Sequence, residues 1–575
     1  MRRAGLAALV LALHGRAQGP EELRVGHWVE VRGQLENDGT FRANALEALP
    51  PADTEVLTGT ASRVDVAAQT FELLGRSVRV SARTRWQDLS LTRLEGRRVK
   101  VEGHWRGRYV AARNISPRDP GRDHVAGRID QIDRIPEGLK LRVLDFPVIV
   151  PDRTTIRSQT PLADLPLAPQ VQREIEGAPT KDQEEDYVPG NLRLTDELSF
   201  GALIEYKIAR EDDFDLDRSF DRDSTNQRLT LKGQLAWLPS ESFHALAIER
   251  FELEDRRQEN GRSQSTGDAH LDELWGYWSD VGVAGFDLQV GRQQFIDARQ
   301  WLYRSNLDAV RAIWHRPGVR LELSASTRFS DADPEQTPDN LIAYLSNGDP
   351  KREIAAYVID RRDNPGERDY PIWFGARALG AWIPQNKVWA EASLLRGFSN
   401  DLNLSSDAID VGTTWSPPWA EPVSFTLGWA YGSGDDPDSA TTDESFRQTG
   451  LERNKGKWEG VSNFHYYGEL LDPELSNLTI LTAGIGARVA SRTSLDLVWH
   501  RYDQVEAAAF LRNASLETNP DGVQTNLGQE VDLVLGSKFL KGWDFAVTAG
   551  WFQPGEAFPN SDDAYFTSFL VRFRF

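Results

Sequence analysis

Basic side chains recur at every second position beside aliphatic and aromatic ones. Arg228 and Lys232 alternate with Leu229 and Leu231, Arg320 precedes Leu321, and Arg328 continues the phase of Arg320. Arg311 lies between Val310 and Ala312, Arg488 between Ala487 and Val489, and Arg572 and Arg574 alternate with Val571, Phe573 and Phe575. A guanidinium is a planar fork that grips a carboxylate through two N–H groups and never deprotonates. Ringed around one cavity, such groups would replace the water shed by an anionic solute, each site weak enough for the solute to step onward. Taken singly, each Arg or Lys reads equally well as structural, paired in a ladder with carboxylates. Asp287, Glu322, Asp496, Glu530, Asp532 and Asp544 fall on phases that supply them.

Other chemistry is poorly supplied. No GxSxG elbow, HExxH pair or GxxxxGK[ST] loop occurs, which argues against a hydrolase, a metalloprotease or an ATP-driven pump. There is no Cys, so disulfides, thiolate metal sites and CxxCH haem attachment are excluded. His465 and His500 read as lone structural histidines, and Asp435, Asp436 and Asp438 as a solvated acidic loop rather than a calcium site. The expectation is a protein that is not an enzyme and carries no cofactor and no metal. A net charge of −21 speaks against nucleic-acid binding.

The elements that would carry the basic residues are strands. In the last eleven residues the odd positions read Tyr, Thr, Phe, Val, Phe, Phe, with Arg572 and Arg574 at even ones, and the run stops on Phe575, as the closing strand of an outer-membrane barrel does. The same period of two marks 319–326, 228–235, 495–500 and 530–535. At about 20 residues per strand and turn, the chain after 195 holds roughly 16–20 strands, too many for a sandwich and normal for a pore. The 18 Trp, 13 Tyr and 25 Phe suit the aromatic girdles of such a barrel. Polar stretches at 330–352 and 432–457 read as external loops.

The N-terminus has Met1-Arg2-Arg3, an apolar run and Gly15-Arg16-Ala17, so residues 1–17 read as a secretory signal. Next come short Val-rich runs with an internal repeat. Residues 26–33 resemble 96–103, and 58–65 resemble 126–133. This predicts two small OB-like β-barrels, at 18–90 and 91–156, acting as a periplasmic spacer or docking module. Residues 157–195, with Pro161, Pro166, Pro169 and Pro179 and an acidic run, read as a linker with a short helix near 165–175. The fold class is thus all-β: a large antiparallel transmembrane barrel at 196–575 behind two small barrels.

Two stretches go beyond periodicity. One is Gly291-Arg292-Gln293-Gln294-Phe295 with Asp297-Ala298-Arg299-Gln300-Trp301 and 306–311. The other is Phe446-Arg447-Gln448-Thr449-Gly450-Leu451-Glu452-Arg453-Asn454-Lys455, continuing into 466–478, YYGELLDPELSNL. Both resemble the alginate-export outer-membrane porins, as do 499–502, 527–533 and 552–555. The resemblance implies a monomeric barrel of about eighteen strands. It also implies an electropositive lumen that passes an anionic polysaccharide outward, gated by an extracellular loop and a periplasmic turn. Arg292, Arg299 and Arg304 lie in or beside the first motif and join the lumen candidates. Lys455 closes the first part of the second motif and Lys457 lies just beyond it. They sit either on a loop folded inward as a gate or on an ordinary exposed turn.

The partners expected are outer-membrane lipid, an anionic polysaccharide or small anion, and a periplasmic scaffold or secretion partner held through 23–155. The alternatives are a structural sleeve or anchor for a partner complex docked through that module, and an uptake porin for another solute.

Overall fold

The computed structural model describes residues 16–18, 23–158, 188 and 192–575, apart from 37, 51, 53, 67, 82–83, 88, 106–108, 152–153, 155, 196, 218–222, 241, 260, 317, 328–337, 348–351, 363–368, 400, 421, 437, 491 and 541. Residues 1–15 of the expected signal, the expected helix near 165–175 and nearly all of the expected linker lie outside the described residues, as does Arg328. Arg16–Gln18 pair with Ile156–Ser158. The chain divides into two units, Met1–Arg173 and Glu174–Phe575.

In the first unit the repeated runs close into two five-stranded rings. One ring is contiguous and runs Glu55–Asp65, Thr70–Leu73, Arg76–Arg79, Tyr109–Pro117, Arg98–Trp105 and back to the first. The other joins Trp28–Leu35 and Phe41–Leu49 to Asp123–Ile135, Gly138–Val143 and Phe146–Pro151. The rings therefore do not divide at 90/91. The first half of the first repeat pairs with the second half of the second repeat, and the other two halves pair with each other. His124, Val125 and Ala126 also pair antiparallel with Thr58, Leu57 and Val56, so the equivalent strands of the two rings meet about a local two-fold.

The rings match down to their turns. Leu74 and Gly75 in one, and Leu144 and Asp145 in the other, all have positive φ, which gives each hairpin its tight two-residue turn. Gly33 and Gly103 occupy equivalent bulges, where a Cβ would overlap the carbonyl of Arg42 or Ala111. Val29, Val31, Leu57, Val99, Val101, Val125 and Val148 fill the interiors.

In the second unit eighteen long strands form a closed antiparallel barrel. They are β1 Leu198–Asp212, β2 Ser224–Trp237, β3 Phe243–Gln258, β4 Ser263–Trp278, β5 Phe286–Ile296, β6 Arg304–Arg316, β7 Val319–Thr327, β8 Asp339–Ser346 and β9 Arg352–Arg362. The rest are β10 Tyr370–Ile383, β11 Asn386–Ser399, β12 Leu402–Trp415, β13 Val423–Gly432, β14 Leu478–Ala490, β15 Thr493–Gln504, β16 Asn526–Ser537, β17 Trp543–Pro554 and β18 Ala564–Arg574. β1 and β18 close the ring in register from Leu203↔Arg574 to Asp212↔Tyr565. The stretch 330–352 is not one loop, because Asp339–Ser346 within it is β8.

The two phases are inverted relative to a water-soluble sheet. In β2, Thr230, Lys232 and Gln234 are buried while Leu231, Leu235 and Trp237 are exposed. In β16, Glu530 and Asp532 are buried while Leu533 and Leu535 are exposed. An apolar outer face on antiparallel strands paired around a closed ring is the arrangement a bilayer demands. At one end of the barrel the connections are short, as at 317–318, 384–385 and 491–492, and both ends of the barrel sequence lie there. Trp237, Trp278, Trp314, Trp415 and Trp543 face outward at that turn end as an aromatic girdle. The other end carries the long connections 433–477 and 505–525.

Candidate lumenal site

The long connection 433–477 does not stay outside. Phe446, Phe464, Tyr466, Tyr467, Leu470, Leu471 and Leu475 are buried in one apolar cluster with inward side chains of β5 to β18, among them Ile342, Tyr357, Ile480, Val498 and Phe552. This segment descends the whole lumen. At the turn end its Val461 N–H donates to Ser494 Oγ (2.7 Å), and Glu459 pairs with Lys387 Nζ (2.8 Å). Lys387, at the start of β11, and Ser494, at the start of β15, both belong to that end.

The two family-like stretches build the anchorage. Asp297 Oδ1 accepts from the backbone of Leu302 (3.0 Å) and Tyr303 (3.1 Å), which shapes the loop 297–303. Its Oδ2 pairs with Arg377 Nη1 (2.8 Å), and Arg377 Nη2 reaches Glu391 (2.6 Å). Arg299 pairs with Asp410 (2.9 Å), its guanidinium centred 4.7 Å from the Trp389 ring and 4.5 Å from the Tyr466 ring. Tyr467 Oη donates to Asp410 (3.0 Å) and accepts from Trp301 Nε1 (2.9 Å). Glu530 receives the Leu470 and Leu471 N–H groups at 2.7 and 3.0 Å. Gln448 stitches Trp301, Asn454 and Leu475 together. These buried bonds are strong because the enclosed site has a low dielectric.

Most of the sequence candidates are engaged by carboxylates. Lys232 pairs with Asp272 (3.2 Å), which also holds Arg250 (3.0 Å). Arg311 and Arg320 share Glu322 at 2.8 and 2.6 Å. Arg572 is bound to Glu205 (2.7 Å), and Arg574 to Asp544. Arg488, at the turn end, lies 3.7 Å from Glu459. Arg292 and Arg304 do not face the lumen. Arg292 shares the phase of Leu288 and Val290 and is opposite Leu274 and Asp308, on the membrane side. Arg304 shares the phase of Asp308 at the loop end of β6, and its N–H bonds Leu451 O (2.6 Å). Lys455 pairs with His465 in a short hairpin of the inward segment, and Lys457 follows it.

One side of the lumen is different. β1 to β4 contribute only Ala209 to the edge of the apolar cluster that packs the inward segment. Their lumenal faces present Lys207, Arg228, Arg250, Glu252, Glu254 and Arg256. Lys207 stands directly opposite Arg228. Like charges in directly opposed positions destabilise a sheet unless something negative lies between them. Among the described residues Lys207 has no ion-pair partner, and Arg228 has only Glu252 at 3.9 Å. Lys207 interacts electrostatically with Lys455, Arg228, Glu469 and Glu205, and Glu205 is already bound to Arg572. Lys207, Arg228 and Lys455 thus form a cationic group where the wall is polar and the inward segment passes it. Lys207 is absent from the sequence candidates, yet its phase opposite Ile204, Tyr206 and Ile208 is written in the strand.

The chain resembles known proteins over most of its length. A family model described as "Alginate export" matches residues 196–571. One described as a domain of unknown function (DUF5666) matches 13–47 and 58–113. The alginate production protein AlgE of Pseudomonas syringae pv. tomato is 24% identical over 469 residues, covering 66% of this chain and 93% of that protein. AlgE of Pseudomonas aeruginosa is 25% identical over 368 residues, covering 52% and 74%. Among solved structures, Pseudomonas aeruginosa OccK7 (OpdD) superposes with a TM-score of 0.44 at 9% identity, covering 66% of this chain and 98% of that one. OprD of the same organism gives 0.42 at 10%, covering 68% and 96%.

Proposed function

The chain belongs to the alginate export family, and we propose that its barrel lets an anionic polysaccharide cross the outer membrane along the β1–β4 side of the lumen. The observation that carries this reading is the group Lys207, Arg228 and Lys455. Two of these cations face each other across adjacent strands, and the third comes from the inward segment. A carboxylate between them would relieve their repulsion. The engaged cations, such as Arg299, Arg311 and Arg377, are the frame of the pore rather than its ligands. A polymer bearing a carboxylate on each sugar would bind the three cations in turn and move on.

Short turns face the periplasm in outer-membrane barrels. The N-terminal unit, joined to the turn end, would then be periplasmic, where residues 23–155 could hold a scaffold or secretion partner. The barrel would work as a monomer.

The test is single-channel conductance of the refolded chain in a salt gradient, with oligouronate added as a blocker. Anion selectivity and block, both lost in Lys207→Glu/Arg228→Glu, are expected. A cation-selective channel indifferent to oligouronate would refute the reading. The filled lumen favours one second reading, a sleeve or anchor for a partner complex. A barrel that conducts nothing until a partner is added would support the sleeve instead.

A further inference from the structure

The inward segment is held very unevenly along its length. Its shoulders are fixed by enclosed bonds: Tyr467 and Arg299 on Asp410, Leu470 and Leu471 on Glu530, and Tyr502 Oη on Tyr467 O (2.9 Å). Its tip, at 459–462 just past Trp458, is held much more lightly. Beyond the Val461–Ser494 bond, its polar hold is Glu459, which reaches Lys387 Nζ (2.8 Å) and lies 3.7 Å from Arg488 Nη2. Arg488 also donates to the Glu459 carbonyl at 3.3 Å.

The side chains of Lys387 and Arg488 are 56% and 57% exposed, whereas that of Glu459 is only 22% exposed. The cations are therefore open to solvent at the mouth, and the carboxylate covers them from within. Lys387 is on the lumenal phase of β11 and Arg488 on that of β14. Arg492 and Lys538 stand on the two adjoining turns, whose backbones are joined by a Lys538 N–H bond to Arg492 O (2.8 Å). The rim is thus cationic where a polymer arriving from the turn side would meet it first.

We propose that Lys387 and Arg488 are a carboxylate-receiving site at the turn-end mouth, occupied by Glu459 as an internal stand-in until carboxylates of the arriving polymer displace it and free the tip. This deepens the reading above and rests on it for the identity of the polymer. The exchange replaces one carboxylate by another on the same two cations, so it needs no change of charge at the site. Exposed ion pairs are individually weak, so a chain presenting many carboxylates would win by effective concentration. The Gly460 and Gly536 positions let the tip lie flat against the wall, because a Cβ at either would overlap Asp496 or Ser462. Trp458, which stacks on Trp389 and packs against Phe464 and Tyr466, anchors the start of the tip, and residues 459–462 beyond it carry no aromatic side chain.

The experiment uses the full chain in planar bilayers, inserted from one chamber, with oligouronate and an oligoglutamate peptide added to one side at a time. In the unmodified protein, either polycarboxylate should raise conductance from the turn side only. Glu459→Gln should conduct without them, by up to about fivefold more than the unmodified protein, which is the most that an exposed pair contributes. In that variant oligouronate should only block. Lys387→Gln/Arg488→Gln should lose the activation while keeping block at the lumen. Conductance and response unchanged by Glu459→Gln, or activation equal from both chambers, would overturn the proposal. Activation by oligoglutamate with no effect of oligouronate would sink the polysaccharide reading and leave the site standing, whereas activation by neither would sink the site.

Discussion

Replacing Asp410 with Asn tests whether Arg299 is frame or ligand. Asp410 joins three elements through one carboxylate: Trp389 Nε1 at 2.7 Å, Tyr467 Oη at 3.0 Å and Arg299 Nη2 at 2.9 Å. Both charged side chains are almost fully enclosed, at 9% and 3% exposure. Asn keeps the shape, but its single carbonyl oxygen can accept from only one of the two neutral donors, which reach opposite oxygens of Asp410, and it leaves a buried guanidinium with no carboxylate. Breaking a buried pair from one side costs about 3–5 kcal/mol, while removing both partners with apolar groups of like volume is often near neutral. Asp410→Asn should therefore destabilise the barrel by about 3–5 kcal/mol, and Arg299→Met/Asp410→Leu by clearly less. The assay is denaturant unfolding in detergent micelles, followed by tryptophan fluorescence, since Trp389 lies on the pair. Oligouronate block measured on the double variant completes the test. If the double variant is as unstable as the single one, the desolvation argument is wrong. If its block is lost while Lys207 and Arg228 are intact, Arg299 is a ligand and its assignment to the frame fails.

Lys207→Gln alone relieves the repulsion with Arg228. It should raise barrel stability slightly, by about 0.2–1 kcal/mol, while weakening oligouronate block; unfolding and block measured on the same preparation check both. Gly412→Leu should drive a side chain into the Trp389 ring and cost about 1–3 kcal/mol or more, read by the same unfolding assay. In the N-terminal unit the Glu30 carboxyl is held down to about 2 from 4.5, first by its hydrogen bond from His124 and then by Arg32. A depressed carboxyl stabilises the fold above its unfolded pKa and loses that contribution as pH falls. Hydrogen-exchange protection of 28–35 and 123–135 should fall between about pH 5 and pH 2 by about 1 kcal/mol, because solvent screens this partly exposed pair. Glu30→Gln should flatten that limb.

The barrel was legible because a period of two needs no tertiary information. Leu229, Leu231, Val531 and Leu533 announce their phase, and the count of amphipathic runs approximates the count of strands. The sequence could not say which phase faces lipid, since a sandwich alternates as well. The structure's exposed Leu231 and buried Lys232 decide that. The candidate residues were less legible. Arg292 and Arg304 stand in and beside a motif, but the phase they share with Val290 and Asp308 points them outward. The inward path of 433–477 was open in the sequence. Tyr466, Tyr467, Leu470 and Leu471 announce burial, but burial against what depends on Asp410 and Glu530, on strands far away in the chain. The repeat in the N-terminal unit was visible as sequence, but nothing local says whether adjacent halves or crossed halves will pair.

That crossing has a consequence for how the protein is made. The hairpin at 28–49 leaves the secretion channel early, yet its partners at 123–151 come about a hundred residues later, on the order of several seconds of synthesis. Until then its edges stay unpaired, while the ring at 55–117 can already close upon itself. Pairing across so long a separation is slow, and open edges invite the wrong partner. A second newly exported chain in the same state would offer matching halves. Crowded export should therefore yield dimers joined through this unit, as a by-product of assembly rather than as the working form.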